Sequence, residues 1–326
     1  MKGTAYTPTE YLYASTRLRA REGKLVGRAR LLQLAAMKDV GEVVSALIGE
    51  GVLDEQARTD FHGALDTMLQ RELAVVRASL PQRRVVDFLL YPTDCHNIKV
   101  ALKCHYRRMD PTPLFEENGS VPTALLRELS HALPEEIPAH MRAAIGEARE
   151  AYEQNADARA LSMAIDRACF ADMAEVAAPV EMAREMVAAR ADVCNLFTVR
   201  RLLTTQRSAA GEVLLAAALV PGGRLTDSSL CEAYRGGEEA FAAFVATTPY
   251  HKVMDTDDLS VAERRAEDLV MQRASLAKTV PFGVEVTIAY VHGLLVSVKN
   301  LRILYTAKKS GAPEDVLLGR LRESYV

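Results

Sequence analysis

Apolar residues recur every three or four positions along much of the chain, which is the period of a helix with one buried face. The clearest run holds Val286, Tyr290, Leu294, Val298, Leu301 and Tyr305, and the alanine-rich segment 160–178 follows the same period. No two alternating β-branched runs are joined by an Asn-Gly or Asp-Gly turn, which would be the sign of a hairpin. The pattern therefore predicts an all-α fold.

One segment occurs three times. It reads DCHNIKVALKCHYRR from Asp94, DVCNLFTVRRLLTTQR from Asp192 and SVKNLRILYTAKKSG from Ser297. Each copy has an asparagine at the same place, followed by a large apolar residue: Asn97 with Ile98, Asn195 with Leu196, and Asn300 with Leu301. The asparagines are about a hundred residues apart, which suggests duplicated subdomains rather than a thin solenoid.

The similarity extends on both sides of the asparagines. An arginine and then a proline precede each one: Arg71 and Pro81, Arg167 and Pro179, Arg273 and Pro281. The prolines suit a break between two helices. Loops are predicted after each asparagine helix, at 110–120, 209–223 and 310–312, and short helices then begin near Pro122, Thr226 and Pro313. We predict an N-terminal helical segment over 1–40 and three related helical subdomains over 41–137, 138–236 and 237–326.

The repeated segments end in basic residues, and these are the candidates for contact with a partner. They are Lys99, Lys103, Arg107, Arg200, Arg201, Arg302, Lys308 and Lys309. Threefold pseudo-symmetry would gather the three tails into a positive ring, whereas cations at helix C-termini also suit the helix dipole. A mid-helix asparagine is a poor helix former. Asn97, Asn195 and Asn300 are therefore interpreted mainly as structural residues in buried hydrogen bonds, with a partner contact as the alternative.

Composition and motifs argue against several classes of function for this chain. The 326 residues carry a net charge of −3, so the chain has no overall basic field for nucleic acid. Its longest apolar run, 213–220, is too short to cross a bilayer. The sequence contains no G-x-x-x-x-G-K-[ST], H-E-x-x-H, G-x-S-x-G or G-x-G-x-x-G motif.

Cys95 and His96 lie half a helical turn out of phase with Cys104 and His105, so one helix cannot aim them at one metal. No catalytic, metal-binding or cofactor-binding residue is predicted.

The C-terminal stretch VPFGVEVTIAYVHGLLVSVKNLRILYTAKKSGAPEDVLLGRLRESYV resembles the end of the C subunit of V/A-type ATPases, the counterpart of the eukaryotic d subunit. The shared features are the PFG turn, AY, NLR with a following basic residue and glycine, and a terminal L-x-x-x-YV. The N-terminal YLYASTRLRAREGKLV and the D-x-x-N-I-K segment at Asp94 also fit. The resemblance covers nearly the whole chain. Ser297 stands where the family usually has a glutamate.

The resemblance implies an all-helical, funnel-like protein of three similar domains with no catalytic activity. Such a protein sits at the cytoplasmic face of the membrane on the ring of c-type (proteolipid) subunits and receives the D and F subunits of the central stalk. It would couple the ATP-hydrolysing or ATP-synthesising head to ion transport without spanning the membrane. Whether the ion is a proton or sodium, and which residues face the ring or the stalk, stay open.

Three other interpretations remain. The chain could be a helical scaffold unrelated to any ATPase. The basic segment Arg17–Arg30 could bind nucleic acid or a membrane surface. Asp94, Cys95 and His96 could belong to a helical enzyme, although the other two copies lack the Cys-His pair.

Overall fold

The architecture comes from a computed structural model that describes residues 6–129 and 132–326. Throughout this part of the chain the regular structure is helical and no strand occurs, which confirms the predicted all-α class. None of the described helices combines the length and the continuous apolar surface needed to traverse a lipid bilayer.

The chain divides into two compact units. Unit 1 comprises Met1–Val86 and Val253–Val326, and unit 2 comprises Asp87–Lys252. The chain passes from one unit to the other within a 3₁₀ segment, Arg83–Leu89, and returns within the short helix α13, His251–Met254. These borders do not coincide with those predicted at 40, 137 and 236, and the division into three repeats stays a prediction.

Unit 1 is built around one long helix. Its helices are α1 Leu12–Glu22, α2 Arg28–Ala35, α3 Val40–Gly49, α4 Phe61–Ser79, α14 Leu259–Ser275, α15 Val284–Lys309 and α16 Glu314–Arg320. Helix α15 packs against all of the other six. Burial of its apolar side chains among these neighbours is the main driving force for folding of this unit.

Helix α15 is buried on more than the one face that the three-to-four spacing predicts. Val286, Tyr290, Leu294, Val298 and Leu301 are buried as expected, and Tyr305 is half-buried. The residues between them are also enclosed, including Ile288, Ala289 and Val291, which are all fully buried. A helix with neighbours all round behaves in this way.

The C-terminal segment 321–326 is fixed onto unit 1. Tyr325 is buried against Gly293 of α15, where an added Cβ would lie 2.7 Å from the Cβ of Tyr325. The backbone N–H of Arg28 donates to the carbonyl of Val326 at 3.2 Å. The glycine in α15 is thus a point of close approach, and the segment completes the core around this helix.

Unit 2 contains eight α-helices of the described chain in addition to part of α13. They are α5 Tyr91–Arg107, α6 Thr123–Arg127, α7 Ala139–Asn155, α8 Ala158–Ala177, α9 Glu181–Thr205, α10 Ala209–Ala218, α11 Asp227–Gly236 and α12 Glu238–Ala246. Helix α8 packs against α5, α7, α9 and α10, and α9 also contacts α10, α11 and α12. The alanine-rich sequence of α8 lets these neighbours come close.

One predicted loop is wrong. The sequence predicts a loop over residues 209–223, but Ala209–Ala218 form helix α10. The hydroxyl of Ser208 accepts a hydrogen bond from the N–H of Gly211 at 3.2 Å and caps the helix. The alanines and leucines that follow favour helix, and Leu215 is fully buried, so propensity and packing agree here.

The predicted order of helix, proline and asparagine helix is confirmed in each copy. Pro81 lies between α4 and α5, Pro179 between α8 and α9, and Pro281 between α14 and α15. Pro122, Thr226 and Pro313 occupy the N-cap positions of the short helices α6, α11 and α16. Leu196 and Leu301, the apolar residues that follow two of the asparagines, are fully buried.

Candidate interaction surface

Each of the three asparagines pairs with the backbone of a single downstream residue. The side-chain NH₂ donates to that residue's carbonyl at 2.8, 3.0 and 3.1 Å for Asn97, Asn195 and Asn300, and the side-chain oxygen accepts from its N–H at 2.8 Å in each case. The partners are Glu116, Val220 and Arg322 respectively. All three amides are buried. They anchor the segment that follows each helix and are occupied within the chain.

A second polar side chain stands one helical turn before each asparagine, and the sequence pattern alone did not identify it as part of the repeat. Asp94 accepts from the N–H groups of Ser120 and Val121 at 3.1 and 3.0 Å. Asp192 accepts from the N–H groups of Arg224 and Leu225, both at 2.9 Å. The shared D-x-x-N spacing of two of the three segments was the available signal.

A glycine makes room for each of these aspartates. Gly119 directly precedes the N–H donors of the first copy, and Gly223 precedes those of the second. An added Cβ at either glycine would lie 2.2 Å from the aspartate Oδ1. The combination of Asp, Asn and glycine therefore closes the loop back onto its helix.

Ser297 replaces the acid in the third copy and has a different partner. Its hydroxyl accepts from the N–H of Val26 at 3.1 Å, a residue between α1 and α2. The serine is buried. At this position the chain thus has a structural contact to its own N-terminal part.

Burial changes the acidity of Asp94. Removal from water raises the pKa of this carboxyl group to about 6, although the hydrogen bonds from Ser120 and Val121 act to lower it, and the nearby charge of Asp87 adds to the rise. Three donors surround the carboxylate, namely the N–H and the hydroxyl of Ser120 and the N–H of Val121, which is the arrangement of a loop anchor. The catalytic alternative for Asp94, Cys95 and His96 has no support from this geometry.

Cys95 and His96 lie in different surroundings. The Cys95 thiol is buried and lies 3.2 Å from Oδ1 of Asp166 in α8, whereas the half-buried His96 ring has a nitrogen 3.2 Å from the carbonyl of Leu114. Contact with Cys95 and burial together raise the pKa of Cys169 well above the usual range, and burial raises the pKa of Cys194 to about 11. These thiols are held in the protonated form, which is a poor nucleophile.

Three of the eight candidate basic residues are used within their own unit. Lys99 pairs with Asp166 at 2.6 Å, Arg302 with Asp66, and the Lys308 ammonium donates to the carbonyl of Met37 at 2.6 Å. Burial acts to lower the pKa of Lys99, but the charges of Cys95 and Asp166 raise it overall. Their long side chains connect helices, and this role competes with a role in binding a partner.

Only three of the other five candidates are more exposed to solvent than these. Arg107, Arg201 and Lys309 are exposed, while Lys103 and Arg200 are half-buried. The guanidinium of Arg200 lies over the Phe197 ring at 5.3 Å, and the Lys309 ammonium lies over Tyr305 at 5.6 Å. The exposed candidates are thus Arg107 and Arg201 in unit 2 and Lys309 in unit 1. We use the names unit 2 tail surface for Arg107 and Arg201 and unit 1 tail surface for Lys309.

His140, Asp172 and Glu175 have ligand atoms within 4.8 Å of one another. The two oxygens of Asp172 accept the N–H groups of His140 and Met141 at 2.9 and 2.8 Å. These N–H groups belong to the first turn of α7, whose positive dipole end repels a cation. The Asp172 carboxylate thus caps a helix, and this cluster gives no support to a metal site.

Comparison with known proteins decides the family. The family model for the ATP synthase (C/AC39) subunit matches residues 14–320. The chain belongs to the ATP synthase (C/AC39) subunit family. Among its relatives is the C subunit of the V-type sodium ATPase of Enterococcus hirae, which is 23% identical over 330 aligned residues. The alignment covers 97% of this chain and 99% of the relative. Membership of the C/AC39 family confirms the resemblance found in the sequence and excludes a scaffold unrelated to ATPases.

Proposed function

We propose that this protein is a non-catalytic central-stalk subunit of a V/A-type ATPase. It links the soluble head, where ATP is hydrolysed or made, to the ion-translocating ring in the membrane. The observation that carries the proposal is the alignment with the C subunit of a V-type sodium ATPase, since nearly the whole of each chain takes part in it.

The proposed partners are the D and F subunits of the stalk and the ring of c-type (proteolipid) subunits. The proposed place is the cytoplasmic face of the membrane, bound to the complex and not inserted. Three related helical repeats would give a shape able to sit on a circular ring. The internal anchoring described above supports this part of the proposal, because a coupling element has to resist deformation: the asparagine pairs and the fixed C-terminal segment 321–326 all stiffen the helices.

The role requires no chemistry from this chain. The buried carboxyl groups of Asp94, Asp172 and Asp192 are engaged by backbone N–H groups, and the pKa values of three of the thiols, including Cys169 and Cys194, are raised, mainly by burial and by contact between thiols. The proposed role is to transmit torque, which depends on surface contacts with the partner subunits and not on a chemical reaction. The unit 1 and unit 2 tail surfaces are the proposed points of electrostatic contact, because charges at the edge of an interface guide docking and orientation.

The test uses the intact complex with and without this chain. Complexes reconstituted into sealed vesicles are assayed in parallel for ATP hydrolysis and for ion transport. Omission of the chain should leave hydrolysis by the soluble head and abolish ATP-driven transport. Adding back the purified chain should restore transport.

A tagged chain purified from native membranes provides the independent check. Subunits of the ATPase head and of the membrane ring should purify with it. Transport that persists without the chain, or a tagged chain that brings down no ATPase subunit, would reject the proposed coupling role.

A further inference from the structure

The C-terminal end of α5 opens into a basic cleft of about 590 Å³. Its walls include His105, Tyr106, Arg108 and Met109 from the end of the helix, and Arg127 from the end of α6. No acidic residue lines the cleft in the described part of the chain. The volume lies within the range of small-ligand sites, and the lining brings three cationic or protonatable side chains together.

Arg108 has a backbone conformation that usually selects glycine. Its φ is 54°, in the left-handed region, and it directly follows the last residue of α5. The N–H of Arg108 donates to the carbonyl of His105 at 3.1 Å, and that of Met109 donates to the carbonyl of Cys104 at 2.9 Å. This pair of bonds is the Schellman motif, in which the left-handed residue is most often glycine.

The same chain provides the comparison. Gly311 caps α15 with φ 68°, its N–H donates to the Lys308 carbonyl at 3.2 Å, and the N–H of Ala312 donates to the Ala307 carbonyl at 2.9 Å. Gly311 and Arg108 each lie eleven residues after the asparagine of their copy. One copy thus has the unstrained residue, and the other has an arginine whose side chain lines a cleft.

The rest of the cleft is firmly built. The Tyr106 ring stacks on Tyr152 with ring centres 4.0 Å apart, and its hydroxyl donates to the carbonyl of Arg149 at 3.4 Å. Two acids adjoin the lining residues in the sequence, Asp110 and Glu128. The Oδ1 of Asp110 accepts both the N–H and the hydroxyl of Thr112. The tyrosine and Met109 give the cleft an apolar wall beside its cationic groups.

We propose that this cleft is a binding site for a phosphate group, held by the guanidinium groups of Arg108 and Arg127 with His105 beside them. Two planar guanidinium groups match the charge and geometry of a phosphate dianion. Their two full charges exceed the partial negative charge, about half a unit each, at the C-terminal ends of α5 and α6, and the last carbonyls of α5 at Cys104 and His105 already accept backbone N–H groups. The apolar wall formed by Tyr106 and Met109 takes the organic part of a phosphomonoester. The phosphate belongs either to a free metabolite or to a lipid headgroup. The site is independent of the proposed place in the ATPase, because binding is a property of the isolated chain.

The first experiment measures the affinity of the purified full-length chain for inorganic phosphate and for glycerol phosphate, by titration calorimetry at constant ionic strength. Arg108→Gly is the main variant. It removes the guanidinium while placing the preferred residue at the cap, so its melting temperature should be equal to or above that of the wild type. Its affinity for both probes should fall at least about tenfold, as expected for the loss of a charge-assisted hydrogen bond.

Two further variants test the assignment. Arg127→Gln should weaken binding in the same way as Arg108→Gly. Arg107→Gln removes the same charge from the adjacent residue, which does not line the cleft, and should change the affinity by less than about twofold, as for a screened surface charge. An equal loss for Arg107→Gln and Arg108→Gly would mean that net charge alone attracts the anion, and would overturn the site.

The second experiment distinguishes the sources of the phosphate. The wild type and Arg108→Gly are sedimented with two kinds of phosphatidylcholine vesicle. One kind contains phosphatidic acid, whose headgroup is a phosphomonoester. The other contains enough phosphatidylglycerol to give the same surface charge. A lipid ligand predicts that the wild type prefers phosphatidic acid and that Arg108→Gly loses this preference. A free ligand predicts tight binding of glycerol phosphate with no such preference. Absence of saturable binding to both soluble probes and to phosphatidic acid vesicles would refute the proposal.

Discussion

At the scale of single residues, a small set of polar side chains holds loops onto helices. Asn195 is representative, because its amide both donates to and accepts from Val220 inside the core of unit 2. Without this amide, a buried N–H and a buried carbonyl would each lack a partner, and a buried group without a partner costs about 1–3 kcal/mol. The poor helix propensity of asparagine, about half a kcal/mol, is small beside this gain.

Asn195→Asp tests this balance. The side chain keeps its shape but loses the donor to the Val220 carbonyl and places an oxygen against it. We expect the free energy of unfolding, measured by urea denaturation, to fall by at least about 1–3 kcal/mol. Thr204→Ala, on the exposed side of the same helix, is the control and should change stability by less than about 0.5 kcal/mol. Equal small losses would mean that the amide pair is dispensable.

The pKa of Asp94 gives a pH-dependent prediction. Its folded-state pKa of about 6 lies above the ordinary value of 3.8, so the folded protein takes up the proton first as the pH falls. Binding of this proton stabilises the folded state relative to the unfolded one. The contribution is fully present below about pH 4 and is lost as the pH rises through about 6. Relative to Asp94→Asn, which does not titrate, the wild type should gain about 2 kcal/mol between pH 6 and pH 4, out of about 3 kcal/mol over the whole titration range.

Urea denaturation of the two proteins at a series of pH values provides the measurement. Other buried acids, such as Asp172 and Asp268, titrate in both proteins and cancel in the difference. A difference that grows in favour of the wild type as the pH rises would show that the hydrogen bonds to the carboxylate, and not its burial, dominate.

At the scale of elements, the long helices carry most of the core and the loops depend on anchors. The spacing of apolar residues locates α15, but the number of buried residues around it follows from the six helices that surround it. Helix α10, unlike α15, was not predicted from the sequence. It lies where a loop was predicted, because the helix propensity of its alanine-rich run prevails up to the Pro-Gly-Gly that follows it.

Replacement by alanine should have opposite effects on the stability of the protein at two helical glycines. Gly293→Ala places a Cβ 2.7 Å from Tyr325, so the C-terminal segment 321–326 has to shift. We expect destabilisation of about 1–3 kcal/mol despite the better helix propensity of alanine. Gly146 of α7 has no atom within 4 Å of the added group, so Gly146→Ala should stabilise by about 1 kcal/mol.

Melting temperatures of the two variants check this pair. A gain for Gly293→Ala comparable with that for Gly146→Ala would show that segment 321–326 is not tightly packed on α15.

At the scale of the whole molecule, the proposed coupling role depends on which charges remain available to partners. Arg201 and Lys309 are exposed in units 2 and 1 respectively. Lys308 is next to Lys309 in sequence, but it is bound to the Met37 carbonyl. A charge-reversal experiment should therefore leave Lys308 unchanged, since its replacement would disturb the fold as well as the surface.

The double variant Arg201→Glu, Lys309→Glu should fold normally and bind the ATPase membrane sector about tenfold more weakly at low salt, since each exposed ion pair contributes up to about 1 kcal/mol. The deficit should shrink as salt screens the charges. Arg71→Glu, Arg159→Glu is the matched control, with the same change in net charge at exposed sites outside the tails. Cosedimentation with membranes stripped of this chain gives the affinities, and equal losses for both variants would remove the tails from the interface.

The sequence by itself determined the helical class, the three asparagine helices with their proline breaks, and the family. These features depend on local helix propensity, on the period of apolar residues and on the order of short motifs, all of which can be read directly from the amino-acid sequence. Only the tertiary structure decided which polar side chains anchor loops and which basic residues stay exposed. Asp94 finds its partners 26 and 27 positions away, and Arg302 pairs with Asp66 across 236 positions. Hydrogen bonds and ion pairs act over a few ångströms, so they depend on how the helices pack and not on their spacing in the sequence.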